Sequence, residues 1–455
     1  MGLTATNPFT SATFGEYPAL TNEEASARIG DAHSALPSWQ KATFAERGAV
    51  LCKVAAKLRE NKQQLAELMA MEMGKPIKEG EPEVEKAAWC AEYYAEQGEA
   101  FLADEVIASD ASLSYIRHQP LGTLLGILPW NAPLWLAFRY LAPALMAGNT
   151  CAMKHDPHVP GCALAIENIF TEAGAPNHIM VNLAITTDQV EAVIRDPRIA
   201  GVSFTGSTAA GRKVAALAGA EIKPVVLELG GSDPCIVMAD ADLDKAADTA
   251  TLSRIINAGQ SCIAAKRIIV ETSIYDDFIE RLKQRLAALK LGDPLQRTTD
   301  VGPLARKDLR DNLERQVAQT LGAGARCTFQ SEVPKGEGFF YPVTLLTNVA
   351  SGMCAFDEET FGPVMAVTYA DNIDAALQIA NNTSYGLGAA IWTNNSAHIE
   401  RAINELESGQ VAVNGIVKTD PRLPSGGIKN SGIGRELGPQ GIREFVNIKQ
   451  VWINQ

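Results

Sequence analysis

Apolar positions recur every three to four residues across residues 22–101, in the runs TNEEASARIGDAHSALPSWQ, FAERGAVLCKVAAKLRENKQQLAELMAMEMG and PEVEKAAWCAEYYAEQGEAFLA. That period predicts amphipathic helices. Asn22, followed by Glu23 and Glu24, predicts where the first of them begins. The pattern then changes. Short apolar runs read as buried strands: TLLGIL (123–128), TCAMK (150–154), IMVNLA (179–184), IAGVSFTG (199–206), VVLELG (225–230) and PCIVMA (234–239). Helical stretches separate them: AFRYLAPALMAG, CALAIENIFTEAG, TDQVEAVIRDP and STAAGRKVAALAG. Strand–helix alternation argues for an α/β fold with a parallel sheet. A second alternating block runs from about 260 to 430, with RIIVE (267–271), a helix over 274–289, VMAVTYA (364–370), a helix over 372–382 and GAAIWT (388–393). The chain closes on a strand-like tail, EFVNIKQVWINQ.

Composition narrows the function classes. At about 150 residues per domain, 455 residues correspond to roughly three domains. A hydrophobic share of 46% with 20% charged residues excludes a chiefly disordered chain. The net charge of −13 argues against nucleic-acid and membrane-surface partners. Residues 121–148 are the one apolar stretch long enough to span a bilayer. They carry Pro129, Asn131, Pro133, Arg139 and Pro143, so a buried strand, turn and helix is the better reading. The N-terminal residues show no basic region followed by an apolar one, so a secretory signal is not expected. Eight cysteines are scattered singly, and no C-x-x-C pair occurs. A reducing cytoplasm is the expected location. Six histidines form no H-E-x-x-H and no Cys/His cluster, so no metal is expected.

Three segments carry candidate chemistry. The unit IAGVSFTGSTAAGRKVAALAG is a strand, a Gly-containing turn and a helix opened by Ser207 and Thr208. Backbone N–H groups at such a helix start favour a phosphate. A nucleoside-triphosphate loop is excluded, because Arg212 stands where its lysine belongs, and the usual G-x-G-x-x-G fingerprint is absent there. In RIINAGQSCIAAKR, Cys262 follows small residues that let a ligand approach. A helix beginning after it would lower the thiol pKa. The alternatives for Cys262 are a nucleophile and an inert buried thiol. In VVLELGGSDP, Glu228 lies inside an apolar strand, where burial raises a carboxylate toward general-base values. The alternatives for Glu228 are a base and a structural ion pair.

Taken together, PWNAP (129–133), GNTCAMK (148–154), FTGS (204–207), ELGG (228–231), GQSC (259–262), EETFGP (358–363) and GGIKNSGIGRE (426–436) resemble the aldehyde dehydrogenase superfamily. The resemblance covers nearly the whole chain. It implies that Cys262 is the nucleophile, that Asn131 and the Cys262 backbone N–H hold the oxyanion, and that Glu228 activates water against the thioester. It implies that Lys154 holds the adenosine ribose, that Gly206 and Ser207 meet the pyrophosphate, and that Trp130 and Leu229 line the same cleft. Glu359 and Phe361 match the pair that positions the nicotinamide ribose and ring. Arg139, eight positions after Asn131, resembles the succinate-semialdehyde dehydrogenases of the superfamily, in which it pairs with the substrate's far carboxylate. A guanidinium in an apolar pocket wants such a partner. An internal acid is the alternative partner. Thr419, in NGIVKTDPRLP, matches the substrate-pocket wall.

One departure bears on the cofactor. Pro157 stands where many relatives carry a Glu that bonds the ribose of NAD or a Ser that favours NADP. Asp156 suits ribose hydroxyls, whereas Lys154 and His158 suit a phosphate. NAD and NADP both stay open, with NADP favoured by the missing Glu. The resemblance implies an aldehyde-dehydrogenase-like α/β fold. It assigns a Rossmann-like cofactor domain to residues 1–101 and 121–229, an α/β catalytic domain to 230–429, and a β oligomerisation arm to 102–120 and 430–455. The implied partners are a small aldehyde bearing a carboxylate and further copies of the chain, as a homodimer or homotetramer.

Overall fold

The computed structural model describes residues 2–454. The helical block resolves into Asn22–Lys41, Phe44–Glu60, Lys62–Met73 and Ile77–Phe101. The first helix begins at Asn22, as expected, and Thr21 caps it. The Thr21 hydroxyl accepts from Glu24 N–H, and the Glu24 carboxylate accepts from Thr21 N–H. A reciprocal pair of this kind satisfies two helix-end donors at once, which an Asn22 cap would not have done. Thr43 and Glu46 repeat it for the second helix. Helices Phe44–Glu60 and Ile77–Phe101 bury Leu51, Val54, Leu58, Val84, Ala87 and Ala91 between them and their neighbours. An antiparallel hairpin, Gly2–Thr6 with Thr13–Pro18, precedes the helices.

Two sheets follow, as the alternation predicts. The first runs Gly432–Ile433, Val225–Glu228, Ile199–Thr205, Thr123–Leu128, Thr150–His155, Met180–Asn182. All its pairings are parallel except the first. All six residues of Thr123–Leu128 are buried, as expected for a parallel strand covered on both faces. The second sheet runs Arg326–Gln330, Thr344–Thr347, Val364–Ala370, Ala265–Glu271, Asp233–Val237, Gly388–Trp392, Gln410–Val413. Only its first pairing is antiparallel.

The apolar stretch at 121–148 forms a buried strand, a turn and the helix Pro133–Met146, of which every residue is buried. No helix among the described residues is long and apolar enough to cross a membrane. The tail strand Val446–Ile453 pairs antiparallel with Leu113–Pro120, which also pairs with Glu105–Val106. Within 430–455 this three-stranded sheet begins only at Val446. Gly432–Ile433 pairs instead with Val225–Glu228, and the helix Gly438–Arg443 packs on Ile77–Phe101.

The C-terminal ends of the first sheet's parallel strands deliver Pro129–Asn131, Lys154, Gly206–Ser207 and Glu228–Gly231 to one side. That edge is where open α/β sheets bind ligands.

Candidate active site

A cavity of about 920 Å³ opens there, walled by both sheets and by the helix Ile77–Phe101. Asn131, Cys262, Glu228, Arg139 and Thr419 line it, and so do Trp130, Lys154, Gly206, Ser207, Leu229, Glu359 and Phe361. The structure therefore brings together twelve of the thirteen residues singled out from the sequence. Pro157 is the exception. Asp156 carboxylate and carbonyl oxygens accept from His158 N–H at 2.9 Å and Val159 N–H at 3.1 Å. That tight turn puts Lys154 and Asp156 on the cavity wall and leaves Pro157 off it. His158 is likewise off the wall, its Nε2 2.9 Å from the Ala305 carbonyl oxygen.

Cys262 follows a strained segment. Asn257, Ala258 and Gly259 have φ of 56°, 53° and 76°. Left-handed backbone is costly for residues with a Cβ and persists only where neighbours enforce it. Here Asn257 N–H donates to the Glu79 carboxylate at 2.6 Å, and Asn257 Nδ2 donates to the Asn131 carbonyl at 2.7 Å. Gln260 Nε2 donates back to the Asn257 carbonyl at 3.0 Å, and Gln260 Oε1 accepts from Ala305 N–H at 2.9 Å. Buried Arg254 ties the same loop to Gly259, Thr360 and Gly362 through their carbonyls. At Gly259 any Cβ would stand 2.3 Å from the Gly362 carbonyl oxygen. The thiol is thus held by a clamp, with Asn131 Nδ2 3.1 Å from the Gln260 carbonyl oxygen beside it.

No helix starts after Cys262. A turn leads directly into the strand Ala265–Glu271, so the expected helix-end activation is absent. Burial pushes the thiol up to about 12, opposed by the charges of Lys266 and Arg139. Lys266 Nζ donates to the Ser261 and Cys262 carbonyls at 2.7 Å each. A thiol in this setting needs a base.

Glu228 ends its strand almost fully buried. Arg139 Nη2 donates to Glu228 Oε2 at 3.0 Å and stands 2.5 Å from Glu436 Oε2. Among the described residues Glu228 Oε1 has no hydrogen-bond partner. Burial raises the Glu228 pKa well above the carboxylate range; Arg139 opposes this and Glu436 adds to it. The internal pairing considered for Arg139 is therefore present, and its partner is the candidate base.

The remaining residues suit a dinucleotide. Ser207 caps the helix Thr208–Ala220 by accepting from Ala210 N–H at 3.3 Å, which leaves earlier helix-start N–H groups for an anion. A Cβ at Gly206 would meet the Phe204 ring at 2.7 Å, so the backbone passes there without a side chain. Lys154 is buried, and desolvation lowers its pKa, the mark of a cation awaiting a counter-charge. Glu359 accepts from Gly231 N–H at 3.1 Å, and the Phe361 ring meets Trp130 edge-on at 5.8 Å. These groups fit an anionic nicotinamide dinucleotide. Among the described residues no group of three or more His, Cys, Asp or Glu side chains is placed to hold a metal ion.

The aldehyde dehydrogenase family model matches residues 2–451. The chain belongs to the aldehyde dehydrogenase family. Among its relatives, the succinate-semialdehyde dehydrogenase [NADP(+)] 1 of Mycobacterium tuberculosis is 46% identical over 456 residues, covering all of both chains. The probable succinate-semialdehyde dehydrogenase [NADP(+)] of Synechocystis is 45% identical, again over all of both chains. A crystal structure of succinic semialdehyde dehydrogenase from Streptococcus pyogenes in complex with NADP+ superposes with a TM-score of 0.97 at 33% identity, covering all of both chains. The aldehyde dehydrogenase motifs from PWNAP to EETFGP thus converge on this cavity, and GGIKNSGIGRE adjoins it through the Glu436 contact to Arg139.

Two side chains at the aldehyde dehydrogenase site, one behind Arg139 and one on the cavity wall, are not singled out by the sequence. Glu436 lies in GGIKNSGIGRE, but only the tertiary fold puts it on Arg139. Lys86 lines the cavity from the helix Ile77–Phe101. Its signal was available, because it falls beside the buried stripe Glu83, Ala87, Cys90 and Tyr94.

Proposed function

We propose that this chain oxidises succinate semialdehyde to succinate in the cytoplasm, with NADP preferred over NAD. The observation that carries the reading is a single cavity that joins a clamped thiol, a raised carboxylate and buried cations to a dinucleotide-binding sheet edge. Full-length identity to enzymes named for that substrate and cofactor supports it.

Lys154, Ser207 and Gly206 would hold the cofactor's ribose and phosphates, and Glu359 and Phe361 its nicotinamide end. When bound, it supplies the acceptor for the hydride. The chain does the rest. Glu228 Oε1 takes the Cys262 proton, directly or through water, and the thiolate adds to the aldehyde carbon. The Asn131 amide and the Cys262 N–H stabilise the resulting oxyanion. Loss of hydride leaves a thioester on Cys262. Glu228 releases the Cys262 proton to solvent and then draws a second proton from water; the hydroxide attacks the acyl carbon, the C–S bond breaks to release the acid, and Glu228 returns its proton to the departing thiolate. Arg139 holds Glu228 in place through Oε2 while Oε1 works. Lys154 and Lys213 on the wall, with no Glu at 157, favour a 2′-phosphate.

The sheet Glu105–Val106, Leu113–Pro120 and Val446–Ile453 leaves Val106, Ile107, Leu113, Ile448 and Trp452 exposed. Apolar edges of this kind favour pairing with a second copy, as a homodimer or a homotetramer. Steady-state turnover of succinate semialdehyde with NADP and NAD side by side tests the reading. Turnover with a higher kcat/KM for NADP is expected. No turnover with either cofactor overturns the activity, and a preference for NAD overturns the cofactor assignment.

A further inference from the structure

Arg139 is committed to Glu228 and Glu436, so its charge is already matched inside the protein. Lys86 is different. It projects into the same cavity as Cys262. Its Nζ donates to Thr419 Oγ1 at 2.8 Å and lies 4.2 Å from the centroid of the Trp135 ring. Trp135 Nε1–H donates to the same Thr419 oxygen at 3.1 Å. The Thr419 oxygen thus accepts two hydrogen bonds, and its own proton is left to donate.

The neighbouring acids are occupied. Glu83 pairs with Lys75 and accepts from Leu134 and Trp135 N–H at 3.0 and 3.2 Å, capping the helix Pro133–Met146. Asp420 is held by a two-pronged Arg422 contact at 2.9 and 2.7 Å. Neither makes an ion pair with Lys86. Burial, with the Arg139 charge adding to it, pulls the Lys86 pKa down to about 8. The cavity therefore offers an ammonium and a hydroxyl proton, seated against an indole, without an internal anion to quench them. That donor set matches a carboxylate.

We infer that Lys86, with Thr419, binds the far carboxylate of the substrate and sets the preference for anionic aldehydes, while Arg139 serves Glu228. The inference rests on the substrate class proposed above. The Lys86→Met variant keeps the stem's length and packing and removes the charge. Wild type, Lys86→Met, Lys86→Gln and Lys86→Arg are compared on succinate semialdehyde and on butanal, an uncharged aldehyde of the same chain length. A hydrogen-bonded charge of this kind corresponds to about 10- to 100-fold in affinity. Lys86→Met is expected to lose that factor in kcat/KM for succinate semialdehyde, through KM, with butanal changed less than about threefold. Lys86→Arg is expected to recover most of the loss. Lys86→Gln is expected to behave like Lys86→Met, and it serves should the methionine variant fail to fold. Equal losses on both aldehydes, or no loss on either, overturn the role of Lys86. A wild type that does not favour succinate semialdehyde over butanal overturns the substrate class itself, and is read before any variant.

Discussion

Replacing Glu436 with Gln should move the pH dependence of thioester hydrolysis toward acid. Glu228 and Glu436 sit on one nitrogen of Arg139, at 3.0 and 2.5 Å, so the two carboxylate oxygens are no more than about 5.5 Å apart. At an effective dielectric constant near 20, two unit charges at that separation repel by about 3 kcal/mol, or about two pK units. Glu436 is among the causes that raise the Glu228 pKa, after burial itself. Glutamine keeps the shape and a carbonyl oxygen for Arg139 but removes the charge. Glu228 then shares Arg139 with no rival and ionises more easily. Stopped-flow absorbance at the reduced-cofactor band shows whether a burst precedes steady turnover, which marks hydrolysis as the slow step. Under that condition the midpoint at which kcat rises with pH reports Glu228. It should fall by about one to two units in Glu436→Gln. Because a base of lower pKa is also weaker, the plateau kcat should fall as well. An unchanged midpoint in a variant with native thermal stability and cofactor affinity would refute the coupling through Arg139.

Further outcomes follow from the same geometry. Cys262→Ala should abolish aldehyde oxidation while cofactor affinity, read by fluorescence titration, changes less than about twofold; retained turnover would remove Cys262 as nucleophile. Gly259→Ala should destabilise the fold by about 2–4 kcal/mol in urea titration, since a Cβ there combines a φ of +76° with a 2.3 Å approach to a carbonyl oxygen. His155 is buried, with Nε2 2.9 Å from the Pro133 carbonyl and Nδ1 3.1 Å from Asp156 N–H, an arrangement only the neutral ring satisfies. Burial lowers its pKa from 6.5 to about 4. Its contribution is therefore complete above pH 6.5 and is lost as pH falls through 4, about 3 kcal/mol in all. The stability gap between wild type and His155→Gln should shrink by that amount between pH 7 and pH 4, and a constant gap would contradict the assignment.

The sequence showed the parts of the fold that periodicity controls. TLLGIL and VMAVTYA became strands over the same residues, 123–128 and 364–370, because a parallel strand buried on both faces must be continuously apolar. The N-terminal hairpin was not legible. Gly2–Thr6 alternates for only two buried positions, Leu3 and Ala5, and Thr13–Pro18 buries none, so the pattern is too short to mark a strand pair. The activation of Cys262 that a following helix would have supplied is absent, because the strand read at RIIVE runs from Ala265 to Glu271.

The site divides in the same way. Residues in short motifs, such as Asn131, Lys154, Ser207, Glu228 and Cys262, were visible because each is set by its local turn. Thr419 is named only by its resemblance to the family's pocket wall, whereas Lys86 and Glu436 gain their roles from partners hundreds of residues away: 333 between Lys86 and Thr419. No local pattern encodes such a pairing. Two readings of Glu228, structural ion pair and general base, looked like alternatives in sequence. The structure makes them compatible, because a carboxylate has two oxygens. Oε2 is held by Arg139, and Oε1 is buried without a hydrogen-bond partner among the described residues. Pairing through one oxygen keeps the group ionisable in a dry cavity, and burial keeps the other basic enough to take a proton. Without Arg139 the Glu228 pKa would rise further, and a second pairing at Oε1 would make that oxygen less basic. Charge balance, rather than free atoms, separates Arg139 from Lys86, since among the described residues Arg139 Nε is itself buried without a hydrogen-bond partner. Arg139 faces two internal acids. Among the described residues Lys86 contacts a hydroxyl and an indole face and makes no ion pair, Glu83 and Asp420 acting on it only through their charge, so it keeps a donor for an incoming carboxylate.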